Sequence, residues 1–224
     1  MTSLARALFA EALGTCVLLA TVVGSGIMGV ALSAGNDGVA LLANSGATAA
    51  VLYVLIVVLG PLSGAHFNPA VTLAMRLRGA IDTRTAAAFV CVQVIAAILG
   101  VLLAHAMFDL PLLQPGTHVR TGGGQWLSEG VATFGLLLTI LLGARHRPAA
   151  LPALVAAWIF AAYWFTASTS FANPAVTLAR SLTQTFAGIR PGDVAEFVAM
   201  QCVGALLALG VDRLLSDRAA PATD

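Results

Sequence analysis

Two Asn-Pro pairs are the most informative functional residues of this chain. The heptapeptide Asn-Pro-Ala-Val-Thr-Leu-Ala occurs twice, beginning at Asn68 and at Asn173. Asn followed by Pro signals a helix start, because Asn caps the first turn and Pro lacks only an N–H that would be unpaired there. The residues of the repeated start are Asn68, Pro69, Ala70, Asn173, Pro174 and Ala175. Each start lies in apolar chain, which predicts two helices that begin inside a membrane, the layout of a pore.

The N-terminus of such a helix interacts electrostatically with a passing ion. Each N-terminus carries about +0.5 of an elementary charge, so two tips that meet act like about one positive charge. A cation at ~4 Å and an effective dielectric constant near 20 meets a barrier of roughly 4 kcal/mol, about a thousandfold. The amides of Asn68 and Asn173 can donate hydrogen bonds to a neutral solute. A water held by both would be oriented so that proton hopping is interrupted.

The composition defines the class of protein. Of 224 residues, 59% are hydrophobic and 9% charged, and the net charge is +1. A chain that apolar is predicted to be an integral protein of a lipid bilayer. Its charge indicates no nucleic-acid partner. Cys16, Cys91 and Cys202 stand alone in apolar runs, and no nucleophile–base pair or metal-ligand cluster is present, so we expect no catalytic residue, metal or cofactor.

The uncharged runs set the number of membrane crossings, since a helix of roughly 20 residues crosses the hydrocarbon. Four runs fit one crossing each: residues 12–36, 85–108 and 197–211, which carry no charge, and residues 121–144, whose single charged residue is Glu129. Two others, 38–75 and 148–179, hold a crossing plus a remainder that contains the Asn-Pro-Ala. A remainder so apolar predicts a re-entrant segment ending in a half-helix. The predicted fold class is an all-α membrane protein with six transmembrane helices and two re-entrant half-helices.

The two halves match beyond the heptapeptide. Glu11 and Glu129 lie in the first span of each half, and Phe-Val-Cys-Val-Gln ending at Gln93 matches Phe-Val-Ala-Met-Gln ending at Gln201. Three spans per half is an odd number, so the halves are predicted to be inverted repeats with the site at the midplane. We assign residues 1–108 to the first half, 109–124 to a linker, 125–215 to the second half and 216–224 to a polar tail. The distribution of Arg, eight against three, places both termini in the cytoplasm.

These features resemble the major intrinsic protein family, the aquaporins and aquaglyceroporins. The resemblance covers nearly the whole chain. Its most specific elements are residues 63–72 and the second Asn-Pro-Ala, and the pair Glu11 and Glu129 supports it. It implies the aquaporin fold and a homotetramer in the cell inner membrane, with one pore in each protomer.

The resemblance also implies roles for the residues around the two motifs. Backbone carbonyls would form two acceptor ladders, at Gly64, Ala65 and His66 and at Thr169, Ser170 and Phe171. Glu11 and Glu129 would accept hydrogen bonds from the re-entrant loops, with a proton relay as the alternative. His66 either lines the pore or ties its loop to a neighbouring span.

One position departs from the family pattern. Most members carry Arg directly after the second Asn-Pro-Ala, whereas this chain has Val176. Arg180 lies one helical turn further along and is no substitute by spacing. By analogy the other constriction positions fall on Thr48, Ala161 and Ser170. We therefore expect a widened selectivity filter without Arg, unless an aromatic side chain narrows it; the candidates are Tyr163, Trp164, Phe165 and Phe171.

In carrying Val at this position, the chain is similar to the arsenic-resistance aquaglyceroporins of rhizobia. This implies a passive channel, not an enzyme, for small neutral solutes: water, glycerol-like polyols, arsenous acid and small methylated arsenicals. The alternatives are a general water and glycerol facilitator, a proton-coupled secondary transporter, an ion-conducting pore and a non-conducting adhesion protein.

Overall fold

The computed structural model describes residues 3–216, and these are built from helices. The α-helices in chain order are α1 (Ser3–Leu32), α2 (Asp37–Ser63), α3 (Pro69–Leu77), α4 (Thr83–Met107), α5 (Gly123–His146), α6 (Leu151–Phe165), α7 (Pro174–Arg180) and α8 (Val194–Leu215). Short 3-10 turns, Pro148–Ala150 and Pro191–Asp193, lead into α6 and α8. No strand occurs within residues 3–216, which confirms the all-α class.

Within residues 3–216, six helical stretches are long and apolar enough to cross a membrane. They are α1, α2, α4, α5, and α6 and α8 with their leading turns. Large apolar side chains such as Phe9, Val58 and Leu207 are exposed on them, which suits contact with lipid. The expected six crossings are therefore confirmed.

The remaining helices, α3 and α7, are too short to cross. They have 9 and 7 residues, and at 1.5 Å per residue neither exceeds about 14 Å of a hydrocarbon core of ~30 Å. Asn68 and Asn173 cap them from extended backbone, and Pro69 and Pro174 follow as the first helical residues. The two predicted half-helices are confirmed, and both begin at the repeated motif.

Close helix packing holds each half together. Helix α1 packs on α4, and α5 packs on α8. A Cβ at Gly100 would collide with the carbonyl oxygen of Cys16, and one at Gly204 would collide with that of Gly130. Small residues at such crossings let helix backbones approach closely, which is a main source of helix association in lipid. Between the halves, α2 packs on α6, the half-helix α3 contacts α8, and the half-helix α7 contacts α4.

The connection between the halves, residues 108–122, folds back on the protein. The predicted linker ended at residue 124, but α5 already begins at Gly123. Backbone N–H groups of Gln114 and Gly116 donate to the carbonyls of Leu182 and Ser181 at 3.2 and 2.8 Å. Of the predicted tail, 216–224, residues 217–224 lie outside the described part of the chain.

Candidate functional site

Asn68 and Asn173 meet where the two half-helices begin. Nδ2 of Asn68 donates to the carbonyl of Ala172, and Nδ2 of Asn173 donates to the carbonyl of Phe67, both at 2.8 Å. Each Oδ1 accepts from a backbone N–H in the first turn of its own half-helix. Each side chain therefore caps one half-helix and binds the loop of the other. We call this pair of asparagines the waist.

The waist keeps hydrogen-bond donors for a solute. An amide nitrogen carries two N–H groups, so each Asn has one left after the bond across the waist. Asn68 and Asn173 both line a cavity. Two helix N-termini point at the same place, and their partial charges add. The arrangement opposes a cation and can donate to a neutral solute.

The loops that approach the waist adopt left-handed backbone at non-glycine residues. Ala65 and Phe67 have φ of 50° and 47°, and Ser170 and Ala172 have φ of 52° and 48°. Such a conformation costs about 1 kcal/mol or more at each residue. This left-handed backbone points carbonyl groups away from the loop. Within residues 3–216 no backbone N–H donates to the carbonyls of Gly64, Ala65, His66, Thr169, Ser170 or Phe171. All of these residues except Thr169 line the cavity.

Glu11 holds the first loop in this conformation. It is fully buried. Oε1 accepts from the His66 N–H at 2.9 Å and from Ser63 Oγ at 2.6 Å. Oε2 accepts from the Phe67 N–H at 2.7 Å and from Gln93 Nε2 at 2.8 Å. Hydrogen bonds to a carboxylate are stronger than neutral ones, and they offset the strain of the loop.

Glu129 holds the second loop in the same way. Oε1 accepts from the Phe171 N–H and Oε2 from the Ala172 N–H, both at 2.9 Å. Oε2 also accepts from Gln201 Nε2 at 2.5 Å. All of these partners donate to the carboxylate, which is the geometry of a scaffold rather than of a proton relay.

Sequence reasoning did not assign the two glutamines to the site. Gln93 also donates to Thr72 Oγ1 at 3.0 Å, and Gln201 donates to Thr177 Oγ1 at 2.8 Å. Each Gln therefore links a scaffold carboxylate to a half-helix. The signal was available, because both glutamines end the pentapeptides that the two halves share.

A cavity of about 270 Å³ passes the waist. Helix α3 leads from the waist towards Met75 and α7 leads towards Arg180, so we call its ends the Met75 end and the Arg180 end. The loops and the waist give it one polar side. The rest of its wall is mainly aliphatic, with Leu18, Val22, Leu52, Ile56, Leu136, Ile140, Val155 and Ile159.

Three of the four residues predicted to form the constriction lie at the Arg180 end. Thr48, Ser170 and Val176 are buried and line the cavity there. Ala161 does not line it and is exposed on the outer face of α6, so its placement in the constriction is wrong. Tyr163 faces the cavity instead, with its hydroxyl 3.4 Å from Thr48 Oγ1. Residues two apart on a helix point about 200° apart, so a register error of this size reverses the direction.

The four aromatic candidates for narrowing the pore differ in whether they face the cavity. Tyr163 and Phe171 line the cavity, whereas Trp164 and Phe165 are 47% and 55% exposed on the outside of α6. Two of the four aromatic candidates for narrowing the pore are thus in position to do so.

Arg180 reaches the cavity, although its spacing did not suggest it. It lines the cavity and is 2% exposed. Its Cζ lies 3.4 Å from the ring centroid of Phe171, and Nε donates to the carbonyl of Ala187. Its spacing along α7 did not suggest this position, because the long Arg side chain extends well beyond its own helical position.

His66 in the first loop corresponds to Phe171 in the second, since each lies two residues before the motif Asn. Each ring makes an edge contact with a Phe of a neighbouring helix: Phe89 at 5.4 Å and Phe197 at 5.2 Å between centroids. Nδ1 of His66 lies 3.1 Å from Thr72 Oγ1, and the residue lines the cavity. His66 thus lines the cavity and also contacts Phe89 of the span α4, and its role in conduction stays a prediction.

Comparison with known proteins identifies the architecture. The model of the major intrinsic protein family matches residues 1–167. The chain belongs to this family. Aquaglyceroporin AqpS of Rhizobium meliloti (strain 1021) is 59% identical over 218 residues, which is 97% of this chain and 93% of the relative. Probable aquaporin PIP2-8 of Oryza sativa subsp. japonica is 32% identical over 150 residues, 62% of this chain and 51% of the relative.

A solved structure shows the same fold. The aquaglyceroporin from Plasmodium falciparum superposes with a TM-score of 0.76 at 20% identity, covering 94% of this chain and 96% of that one. As a major intrinsic protein, the chain is a multi-pass membrane channel and not an enzyme, which confirms both predictions.

Proposed function

We propose that the protein is a passive channel for small uncharged solutes: water, glycerol-like polyols, arsenous acid and small methylated arsenicals. The observation that carries the proposal is the two-sided cavity, with unpaired loop carbonyls and amide donors facing an aliphatic wall. A polyol has hydroxyls that can pair with the polar side and C–H groups that can contact the apolar side. Similarity to a relative named an aquaglyceroporin supports the same solute class.

The proposed selectivity filter is permissive and admits uncharged solutes larger than water. Val176 lines the cavity directly after the second Asn-Pro-Ala, so the filter has no Arg at this position and is widened there. Thr48 and Ser170 supply hydroxyls beside it. Arsenous acid fits this site because it is neutral at neutral pH and carries hydroxyls, like glycerol.

A general water and glycerol facilitator is the second candidate, favoured by Tyr163 and Phe171 at the cavity wall. A proton-coupled transporter finds less support, because Glu11 and Glu129 are occupied by loop and Gln donors. The paired helix tips at the waist disfavour an ion-conducting pore, and a solute-sized cavity disfavours a purely adhesive role.

In the cell we expect a homotetramer in the inner membrane with cytoplasmic termini. On this orientation the Arg180 end faces outward. Size-exclusion chromatography with light scattering measures the first expectation, and accessibility of tags at the two termini measures the second.

Stopped-flow light scattering on proteoliposomes tests the function. Vesicles holding the protein should re-swell faster than empty vesicles under gradients of glycerol and of arsenous acid, without saturation and without dependence on a proton gradient. Rates equal to those of empty vesicles for both solutes would refute the proposal. Fast water flux with no solute flux would leave a water channel, and saturable, proton-dependent flux would indicate the transporter.

A further inference from the structure

The guanidinium group of Arg180 is fixed in place while much of its hydrogen-bonding capacity is unused. Phe171 covers its face and the carbonyl of Ala187 accepts from Nε. Nη1 is buried and finds no acceptor among the described residues. A buried N–H group of a cation that lacks an acceptor is costly, and a site of this kind calls for an explanation. Because Arg180 lines the cavity, a passing solute can supply the acceptor.

Arg120 shows what a purely structural arginine looks like beside the same ring. Its Cζ lies 5.0 Å from the Phe171 centroid, and it is 6% exposed. Nε donates to the carbonyl of Gly188 at 2.9 Å and Nη1 to that of Ser168 at 3.2 Å. Arg120 does not belong to the cavity lining. The two arginines thus share an aromatic partner but differ in access to the pore.

A second polar atom at this end is also unpaired. Ser170 Oγ is buried, has no hydrogen-bond partner within residues 3–216, and belongs to a residue that lines the same cavity. Arg donates and a hydroxyl both donates and accepts. Each of the two groups can therefore bind an oxygen of a hydroxylated solute.

The positive charge at the Arg180 end affects the pKa of a neighbouring histidine. Burial, and after it the charges of Arg120 and Arg180, lower the pKa of His118 in the segment that connects the halves. The carboxylate of Asp193 at this end accepts hydrogen bonds from the Arg190 side chain at 2.6 Å and from the backbone N–H of Arg120 at 2.8 Å. It therefore does not pair with the guanidinium of Arg180.

The geometry points to Arg180 as the selectivity-determining cation of this pore, which repels cations and, with Ser170, binds the hydroxyl groups of neutral solutes before they reach the waist. The inference deepens the proposed function and rests on it for the solute class. Val176 widens the pore at its own position, while the charge is supplied from one helical turn further along α7.

Substitution of Arg180 tests the assignment. In proteoliposomes, Arg180→Gln should raise Na⁺ flux relative to water flux by about a hundredfold, the factor for loss of a unit charge at ~6 Å and an effective dielectric constant near 20. The double variant Val176→Arg/Arg180→Gln should return the ratio towards the wild-type value. Arg120→Gln is the matched control: it removes a buried cation from the same ring, and its ion-to-water ratio should stay at the wild-type value.

The readouts separate this inference from the proposed function. Ion and water fluxes do not depend on which polyol passes, so failure of glycerol flux in the wild type would affect only the proposed function. An unchanged ratio in Arg180→Gln, or an equal rise in Arg120→Gln, would overturn the role of Arg180. If Arg180→Gln does not fold, Arg180→Lys decides: retained charge should keep Na⁺ out while glycerol flux falls, and a Na⁺ leak or unchanged glycerol flux would overturn the inference.

Discussion

At the scale of single residues, Asn68 and Asn173 combine three roles that are usually separate. Oδ1 caps a half-helix, one N–H of Nδ2 binds the opposite loop, and the second N–H remains for a solute. An Asp side chain could cap, but it has no N–H to donate and adds a negative charge. A Ser side chain could cap, but it is too short to reach across. Of these three residue types, Asn alone can fill all three roles at these positions.

Val176→Arg is the substitution that tests the filter at this scale. A guanidinium in place of an isopropyl group should reduce glycerol flux by about tenfold or more while water flux stays near the wild-type value, because only the larger solute needs the space and the added barrier of ~1.4 kcal/mol is tenfold. Stopped-flow light scattering with water and glycerol gradients measures both. Val176→Met is the control for bulk without charge. Equal loss of water and glycerol flux would remove Val176 from the filter.

At the scale of elements, the two pore loops are strained segments held by buried carboxylates. Residues 64–67 and 169–172 contain several non-glycine positions with positive φ, which the chain does not adopt without compensation. Glu11 and Glu129 provide it from the first helix of each half, and Gln93 and Gln201 connect the same carboxylates to the half-helices. Loop, half-helix and two spans therefore form one unit in each half.

Glu129→Gln should damage this unit. The amide has the size of the carboxylate, but its NH₂ group would face the N–H of Phe171 or the N–H groups of Ala172 and Gln201, which all donate. Loss of charge-assisted bonds of this kind costs about 2–3 kcal/mol. We expect a lower unfolding temperature in detergent and reduced water flux per folded protein. The exposed Glu196→Gln on α8 is the control; equal effects of the two variants would argue against the scaffold role.

At the scale of the whole molecule, the duplicated motif made the architecture predictable from sequence. Two identical helix starts in uncharged runs too long for one crossing require two half-helices, and matching Glu residues relate the halves. The register of α6 was not predictable, because no motif lies near Ala161 and a shift of two residues reverses the face. Arg180 was misjudged for a different reason: spacing places a Cα on a helix, but the guanidinium lies several bonds away, over Phe171.

The two halves are also joined by charge at the Met75 end. The carboxylate of Asp212 on α8 is buried and pairs with Arg145 at the end of α5 at 2.7 Å, and with Arg78, the C-cap of α3, at 3.7 Å. One carboxylate thereby connects the first half-helix to two spans of the second half. Loss of this link would release the C-terminal end of α3, while the waist holds its other end.

Asp212→Asn should therefore lower stability without changing the chemistry of the pore. Both arginines are partly exposed and can be solvated, so we expect a loss of about 1–2 kcal/mol in the free energy of unfolding. Asp109→Asn, an exposed position outside the helices, should leave the unfolding temperature unchanged. Flux ratios of glycerol to water should remain at the wild-type value in both variants, since Asp212 does not line the cavity. A changed ratio in Asp212→Asn alone would mean that the orientation of α3, set from outside the pore, contributes to selectivity at the waist.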